Sequence, residues 1–309
     1  MVGLHASVEA VAATATPEVV PGRSLWSDAR RRFFRNKLAV LGLIIVVGLV
    51  LVAIFAPYIA PYDPLEQLAW EDFSKSLAPP SWEHPFGTDL YGRDIFSRVI
   101  YGTRISLSIA LMAAVVTTAI GITLGALAGY FGGWVDSFIT WLINVVWSFP
   151  FLLFVLAIIT IFPEASLTII FIAIGVVSWP DIARMTRGQF LAARENEYVE
   201  AAKAIGASDF IIIFRHILPN IIAPMLVQAT LAMGSYIQLE ASLSFLGFGV
   251  PPPTPSWGRM ASEGQNYLFS GQWWWSIMPG IAIMVTVLGF NLLGDGLRDA
   301  LDVRQQTDG

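Results

Sequence analysis

Long runs without a charged or histidine side chain constrain this chain more than any other feature of its sequence. Six runs of 16 to 29 residues contain no Asp, Glu, Lys, Arg or His: 38–55, 105–133, 137–163, 165–180, 217–239 and 276–294. About 20 apolar helical residues cross the hydrocarbon core of a membrane. Four runs reach that length alone, and the runs 38–55 and 165–180 reach it with flanking residues. The sequence therefore predicts an all-α integral membrane protein with six transmembrane helices.

The composition favours a membrane protein over a large soluble one. Charged residues make up 13% of the chain, whereas an ordinary soluble domain carries about 25%. Cysteine is absent, which excludes disulfides and thiol chemistry. The net charge of −5 is small, and no basic patch interleaves with aromatic residues, so we expect no nucleic acid partner. His5, His84 and His216 are scattered along the sequence, so we expect no metal site.

The distribution of lysine and arginine predicts the side on which each loop lies, because these residues concentrate on the cytoplasmic side of a membrane. With the N-terminus inside, the segments 1–37, 181–216 and the tail after residue 294 are cytoplasmic, and they hold thirteen of the eighteen basic residues. The outer segments 56–104 and 247–275 hold the other five. Both termini are therefore predicted to be cytosolic.

The predicted spans divide the chain into segments. They are a cytosolic tail (1–37), the first span (38–56), an extracytoplasmic loop (57–104), a five-helix core that includes the cytosolic loop 181–216 (105–297), and a second cytosolic tail (298–309). The first span begins too late for a cleaved signal peptide, so we expect it to be retained. The outer loop is rich in proline and acidic residues, and its last part, 94–104, is predicted to be an amphipathic helix at the membrane interface.

Four glycines in the second span are spaced four residues apart, at positions 121, 125, 129 and 133. Glycines at this spacing share one face of a helix and allow a second helix to approach closely. Packing within this subunit is the favoured interpretation, and an interface with another subunit is the alternative.

The segment 181–219 is predicted to contain a short helix on the cytosolic side. Asn196 can cap it, acidic residues follow in its first turns, and Gly206 can take the left-handed conformation that ends a helix. Tyr198, Ala202 and Ile205 are spaced to form one apolar stripe. These residues alone leave two interpretations equally open, an amphipathic connector that rests on the membrane and a docking element for a partner.

Polar residues in or near the spans give further candidates. Asp181, with Arg184 and Arg187, is expected to mark the inner end of the fourth span in solvated charge pairs. If Asp181 lies at the end of the fourth span, no span carries a carboxylate near the middle of the membrane, which argues against an ion-coupled carrier.

Glu240, beside Gln238, is a candidate for the translocation path or its gate, because an ionisable group at membrane depth is a functional candidate. The alternative is a pairing with Arg259 or another loop group near the outer interface. Asn144 and Asn291 are predicted to form hydrogen bonds between helices rather than to contact substrate.

The motif Glu200-Ala201-Ala202, followed by Gly206 and then by Leu218-Pro219, resembles the EAA loop of importer-type ABC permeases. His216 departs from the general pattern, which has an aliphatic residue there. Segments elsewhere resemble the "C" subunits of dipeptide and oligopeptide permeases, and the segment that contains His216 resembles them too. These segments are 35–42, 55–57, 62–64, 84–89, 92–94, 216–220, 242–249 and 252–258. The resemblance covers about residues 30–302.

The resemblance implies a type I ABC importer permease fold in the bacterial inner membrane and a non-catalytic subunit that imports di- or oligopeptides. It implies three kinds of partner besides membrane lipid: a homologous second permease, two ATP-binding subunits and an extracytoplasmic substrate-binding protein. This chain has no P-loop motif, so it is expected to hold no cofactor, and ATP and Mg²⁺ are expected on the partners. The residues implied to couple the chain to the ATPase are Tyr198, Glu200, Ala201, Ala202, Lys203, Ile205 and Gly206.

Several alternatives remain open at the level of sequence. The same machinery could import nickel, glutathione or oligosaccharides, and no residue of the spans separates these cargoes from peptides. A channel or carrier acting alone is disfavoured by the lack of mid-span carboxylates and of an internal repeat. A membrane enzyme would need clustered His, Asp or Glu at a membrane face, which the sequence does not show.

Overall fold

The computed structural model describes residues 25–162 and 166–301, and its described part is helical apart from loops and one isolated bridge between Thr88 and Asp94. Most of both predicted tails lies outside the described residues. The helices are α1 (Leu25–Arg35), α2 (Lys37–Ile59), α3 (Ile95–Phe131), α4 (Gly133–Trp147), α5 (Phe151–Ile161), α6 (Leu167–Ala193), α7 (Glu197–Ala204), α8 (Asp209–Phe245), α9 (Trp257–Gly264) and α10 (Trp274–Leu301). Short 3₁₀ turns lie at Leu68–Trp70, Phe73–Lys75 and Gln265–Tyr267.

The prediction of an all-α membrane protein is confirmed. In the described residues, α2, α3, α6, α8 and α10 are each long and apolar enough to cross a membrane. The pair α4 and α5 forms a sixth span if it is counted as one, although the two helices are bent by 90° relative to each other. Pro150 stands just before α5 and cannot donate a backbone hydrogen bond, which accounts for the break.

Two predicted boundaries were wrong. The segment 94–104 is not a separate interfacial helix, because α3 runs without interruption from Ile95 and begins where the Asp94 carboxylate accepts the N–H of Ser97. The fourth span does not end at Pro180, since α6 continues to Ala193. Proline is tolerated inside a membrane helix where neighbouring helices surround the interrupted turn, and α6 is packed along much of its length against α3.

The packing of α3 against α6 depends on the glycine series of the second span. A Cβ atom added at Gly121, Gly125 or Gly129 would lie 2.5–2.6 Å from the nearest α6 atom. At Gly125 that atom is the carbonyl oxygen of Ala183, which belongs to the backbone. Gly133 instead begins α4 and has open space around it. Packing within this chain is therefore confirmed for three of the four glycines.

A buried ion cluster fastens the predicted extracytoplasmic loop to the bundle. The Asp89 carboxylate accepts a hydrogen bond from Arg93 Nε at 2.6 Å and another from Arg98 near the start of α3. Glu263 of α9 lies 3.4 Å from Arg98 Nη2 and 3.6 Å from Arg93 Nη2. Buried charges are costly unless they are paired, so this cluster holds the loop, α3 and α9 in one arrangement.

Two further contacts order the same loop. His84 Nδ1 lies 3.0 Å from Asp94 Oδ1, and both side chains are buried. On the loop surface, a hydrogen bond to Glu83 raises the pKa of Lys75, and the same bond lowers the pKa of Glu83. The loop therefore forms an ordered layer over one end of the helix bundle, and this end is called the outer end. The opposite end, which carries α7, is called the inner end.

Candidate functional site

The short helix α7 forms where the sequence predicts it. Asn196 is its N-cap residue, with an extended backbone, and its carbonyl accepts the N–H of Val199 at 2.9 Å. The Asn196 side chain, however, makes no capping hydrogen bond. The helix ends at Ala204, and Gly206 two residues later has a left-handed φ of +80°, as predicted. The N–H of Ala207 then donates to the carbonyl of Ala202 at 3.0 Å, which closes the last turn.

The buried side of α7 differs from the predicted stripe. Val199 and Ala202 are 0% and 5% exposed, whereas Tyr198 is 37% and Ile205 is 86% exposed. The buried pair belongs to a cluster of residues from α3, α6 and α8, which includes Phe190, Ala193, Ile212, Ile213 and Ile217. The stripe of Tyr198, Ala202 and Ile205 was therefore wrong, because Ala202 is buried in the chain's own core while the other two residues are exposed. The coupling role of Ala202 stays a prediction. Val199 is the anchor that sequence reasoning missed.

The opposite side of α7 is unoccupied by the described residues. The exposed residues of α7 and of the two positions after it are Glu197, Tyr198, Glu200, Ala201, Lys203, Ala204, Ile205 and Gly206. The acidic residues lie in the first turn and Lys203 in the last, where each charge is favoured by the helix dipole. Six of the seven residues implied by the resemblance thus share an accessible surface, and Ala202 alone is withdrawn from it.

Polar contacts join the surroundings of α7 to the long helices. Arg187 of α6 donates from Nη2 to Asp136 of α4 at 2.7 Å. This replaces the solvated pairing with Asp181 that the sequence suggested. The hydroxyl of Tyr130, at the end of α3, donates to Asp209 at the start of α8 at 2.6 Å. The helices that pack against α7 are therefore joined by hydrogen bonds to two others, α6 to α4 and α8 to α3.

Asp181 lies in the interior of α6 and not at the end of the helix. At 1.5 Å per residue it is about 9 Å further from the inner end than Arg187. It lines a cavity of about 380 Å³ between α6, α8 and α10. The polar residues of the cavity wall are Ser178, Asp181, Gln228, Ser235, Tyr236 and Asn291. The prediction that this helix ends at Pro180 was wrong, since α6 continues to Ala193, while the absence of a carboxylate at mid-depth stays a prediction.

Glu240 is buried away from this cavity. Its Oε1 accepts hydrogen bonds from Ser244 and Ser256, both at 2.9 Å. Arg259, the alternative partner, instead donates to Glu263. Because Ser256 caps α9, Glu240 connects the outer end of α8 to α9. Gln238 is exposed, and neither residue lines the cavity, so their place in a path or gate stays a prediction.

Comparison with known families decides the class of this chain. The model of the binding-protein-dependent transport system inner membrane component matches residues 121–307, more than half of the sequence. The chain belongs to this family. A second model, the N-terminal TM domain of oligopeptide transport permease C, matches residues 24–80. The protein is therefore a permease subunit of an ABC importer in the inner membrane.

Curated relatives cover nearly the whole chain. It is 43% identical to the dipeptide transport system permease protein DppC of Alkalihalophilus pseudofirmus, over 92% of this chain and 91% of the relative. It is also 43% identical to the oligopeptide transport system permease protein OppC of Bacillus subtilis, over 90% of each. The glutathione transport system permease protein GsiD of Pectobacterium atrosepticum is 41% identical, over 91% of each.

A solved structure supports the fold. An inward-facing conformation of the MetNI methionine ABC transporter aligns with a TM-score of 0.54 and 18% identity, over 66% of this chain and 96% of the matched chain. At this identity the likeness concerns the fold alone. It confirms the predicted permease fold, while the cytosolic placement of the termini stays a prediction.

Proposed function

We propose that this permease imports short peptides with energy from separate ATP-binding subunits, and that α7 is the helix on which one of those subunits docks. A second, homologous permease would complete the path, and an extracytoplasmic binding protein would deliver the cargo. The single observation that carries the proposal is the two-sided construction of α7. Val199 and Ala202 fix one side to α6 and α8, while the other side is free for a partner.

The mechanism follows from this construction. Closure of the ATP-binding subunits would displace α7, and the displacement would pass to α8 through the buried Val199 and to the neighbouring helices through the pair of Arg187 and Asp136. Packed interiors transmit strain because they have little free volume. The long helices would then change their mutual tilt and expose the cavity near Asp181 alternately to the two sides.

The polar wall of the cavity suits a peptide as cargo. Gln228, Ser235 and Asn291 offer amide and hydroxyl groups that can bond to a peptide backbone of any sequence. Asn291 would then contact substrate, in place of the bond between helices that the sequence predicts. Asp181 offers a carboxylate to a cationic group, which every peptide with a free amino terminus carries. Glutathione is a second candidate cargo, since it has peptide bonds and a free ammonium group and since GsiD is among the relatives.

Reconstitution tests the proposal. The chain would be co-expressed with two ATP-binding subunits, the second permease and the binding protein, and placed in liposomes. We expect peptide uptake that requires ATP and all components, and competition with labelled dipeptide would rank glutathione against peptides. A chain that is stable and transports peptides without ATP-binding subunits would contradict the proposal.

Asp181→Asn is expected to lower peptide uptake in the same liposomes by about tenfold, because a hydrogen bond to a charged group contributes about 1.5–3 kcal/mol. Assembly of the complex should not change, since the substitution preserves the size of a side chain at an open cavity wall. Asp295→Asn, at an exposed position near the inner end of α10, is the matched control and should transport normally. Equal uptake by the two variants would remove Asp181 from the path.

A further inference from the structure

The first two described helices carry a group of exposed cations at the inner end. Arg30, Arg31, Arg35 and Lys37 are exposed, and none of them forms an ion pair with another described residue. They follow one another within eight positions, over the end of α1 and the start of α2. An exposed basic cluster beside a membrane span attracts anionic headgroups, and each cation contributes to the attraction.

An apolar groove lies directly beside these cations. It has a volume of about 370 Å³ and opens between α1 and the inner parts of α2, α8 and α10. Phe33, Phe34, Leu43, Leu226, Leu293 and Leu297 line it, and Arg30 stands in its wall. The groove shares no lining residue with the cavity that contains Asp181, so it belongs to a different site.

The groove is a fixed feature of the fold. Phe33 is buried against Ala39 and Ala300, which holds α1 across the ends of α2 and α10. The Asn36 side chain accepts the N–H groups of Leu38 and Ala39 and so sets the turn between α1 and α2. The Phe33 contacts and the Asn36 turn therefore hold α1 in place as one wall of the groove.

We propose that this groove binds one anionic phospholipid of the inner leaflet, with an acyl chain along the leucine wall and the phosphate beside Arg30 and Arg31. Charge complementarity favours an anionic lipid over a zwitterionic one. The position favours a lipid over a peptide, because the exposed apolar side chains of Leu38, Leu41 and Ile44 extend along α2 from the same end. Such a surface is typical of a helix in contact with lipid.

The test is a lipid titration of the intact transporter complex followed by native mass spectrometry. Phosphatidylglycerol and phosphatidylcholine with the same acyl chains are the two probes. We expect one phosphatidylglycerol to bind at least about tenfold more tightly than phosphatidylcholine, given the contribution of each nearby basic residue. Arg30→Gln combined with Arg31→Gln should remove that preference, and Arg215→Gln, at an exposed position of α8, should retain it.

A second variant tests the groove itself. Leu226→Trp fills it from a half-exposed position, so the complex should assemble while the tight phosphatidylglycerol is lost. Equal binding of both lipids by the unmodified complex would overturn the proposal. Tight binding of phosphatidylglycerol that persists in the double arginine variant or in Leu226→Trp would also overturn the proposal. The groove would then hold another segment of the chain or nothing.

Discussion

Ala201→Trp is expected to reduce ATP-driven uptake by about tenfold or more while the chain stays folded and inserted. Ala201 lies on the exposed side of α7, so a large side chain meets nothing within this chain. At a packed interface it would overfill the contact, and overpacking costs about 1–3 kcal/mol. Uptake and ATP hydrolysis measured in the same liposomes would separate lost coupling from lost protein.

Two controls make this result specific to α7. Arg298→Trp places the same side chain at another exposed inner position, on α10, and should transport normally. Ala202→Trp places it in the buried cluster around Val199, and should lower the yield of folded protein instead. Normal uptake by Ala201→Trp would show that this side of α7 contacts no partner.

Gly125→Leu is expected to abolish stable expression. Its Cβ would lie 2.5 Å from the carbonyl oxygen of Ala183 and close to Thr186, and a backbone atom held in a helix cannot move aside. We expect α3 and α6 to separate, with a loss of at least about 3 kcal/mol of stability. The yield of monodisperse protein in detergent and its thermal unfolding would measure the effect.

Gly188→Leu is the matched control, because Gly188 lies on α6 but has open space where a Cβ would be. It should be expressed and should unfold as the unmodified protein does. If Gly125→Leu behaved like Gly188→Leu, the close packing of α3 on α6 would be wrong.

The spans could be predicted from sequence because the membrane imposes a simple rule on length and charge. The end of the fourth span could not, because Pro180 normally stops a helix. Here α6 continues to Ala193 through contacts with α3 that depend on glycines about sixty residues earlier in the chain. Asp181 was therefore placed outside the membrane helix, and the polar cavity was missed.

The position of α7 could be predicted, but its orientation could not. The motif and Gly206 locate the helix and its end, since both are local features. Eight residues give too few turns for periodicity to choose between Val199 and Tyr198 as the buried side chain. The choice is made by the π-helical turn Ile212–Ile217 of α8, which presents its isoleucines to α7.

The ion cluster at the outer end also could not be predicted from the sequence. Asp89, Arg93 and Arg98 are close in the chain, but Glu263 reaches them only because α9 folds back over the start of α3. Glu240 shows the same limit, since its hydrogen bonds come from Ser244 one turn later and from Ser256 beyond a loop. Such partners are set by tertiary structure.

Photo-crosslinking tests the central claim most directly, because the chain contains no cysteine and a single one can be labelled cleanly. Ile205→Cys on α7 and Phe269→Cys at the outer end are both highly exposed, and each would carry a benzophenone maleimide in the assembled, active complex. We expect Ile205→Cys to form an adduct with an ATP-binding subunit, and Phe269→Cys to form none. An active complex in which Ile205→Cys yields no such adduct would contradict the docking of the ATPase on α7.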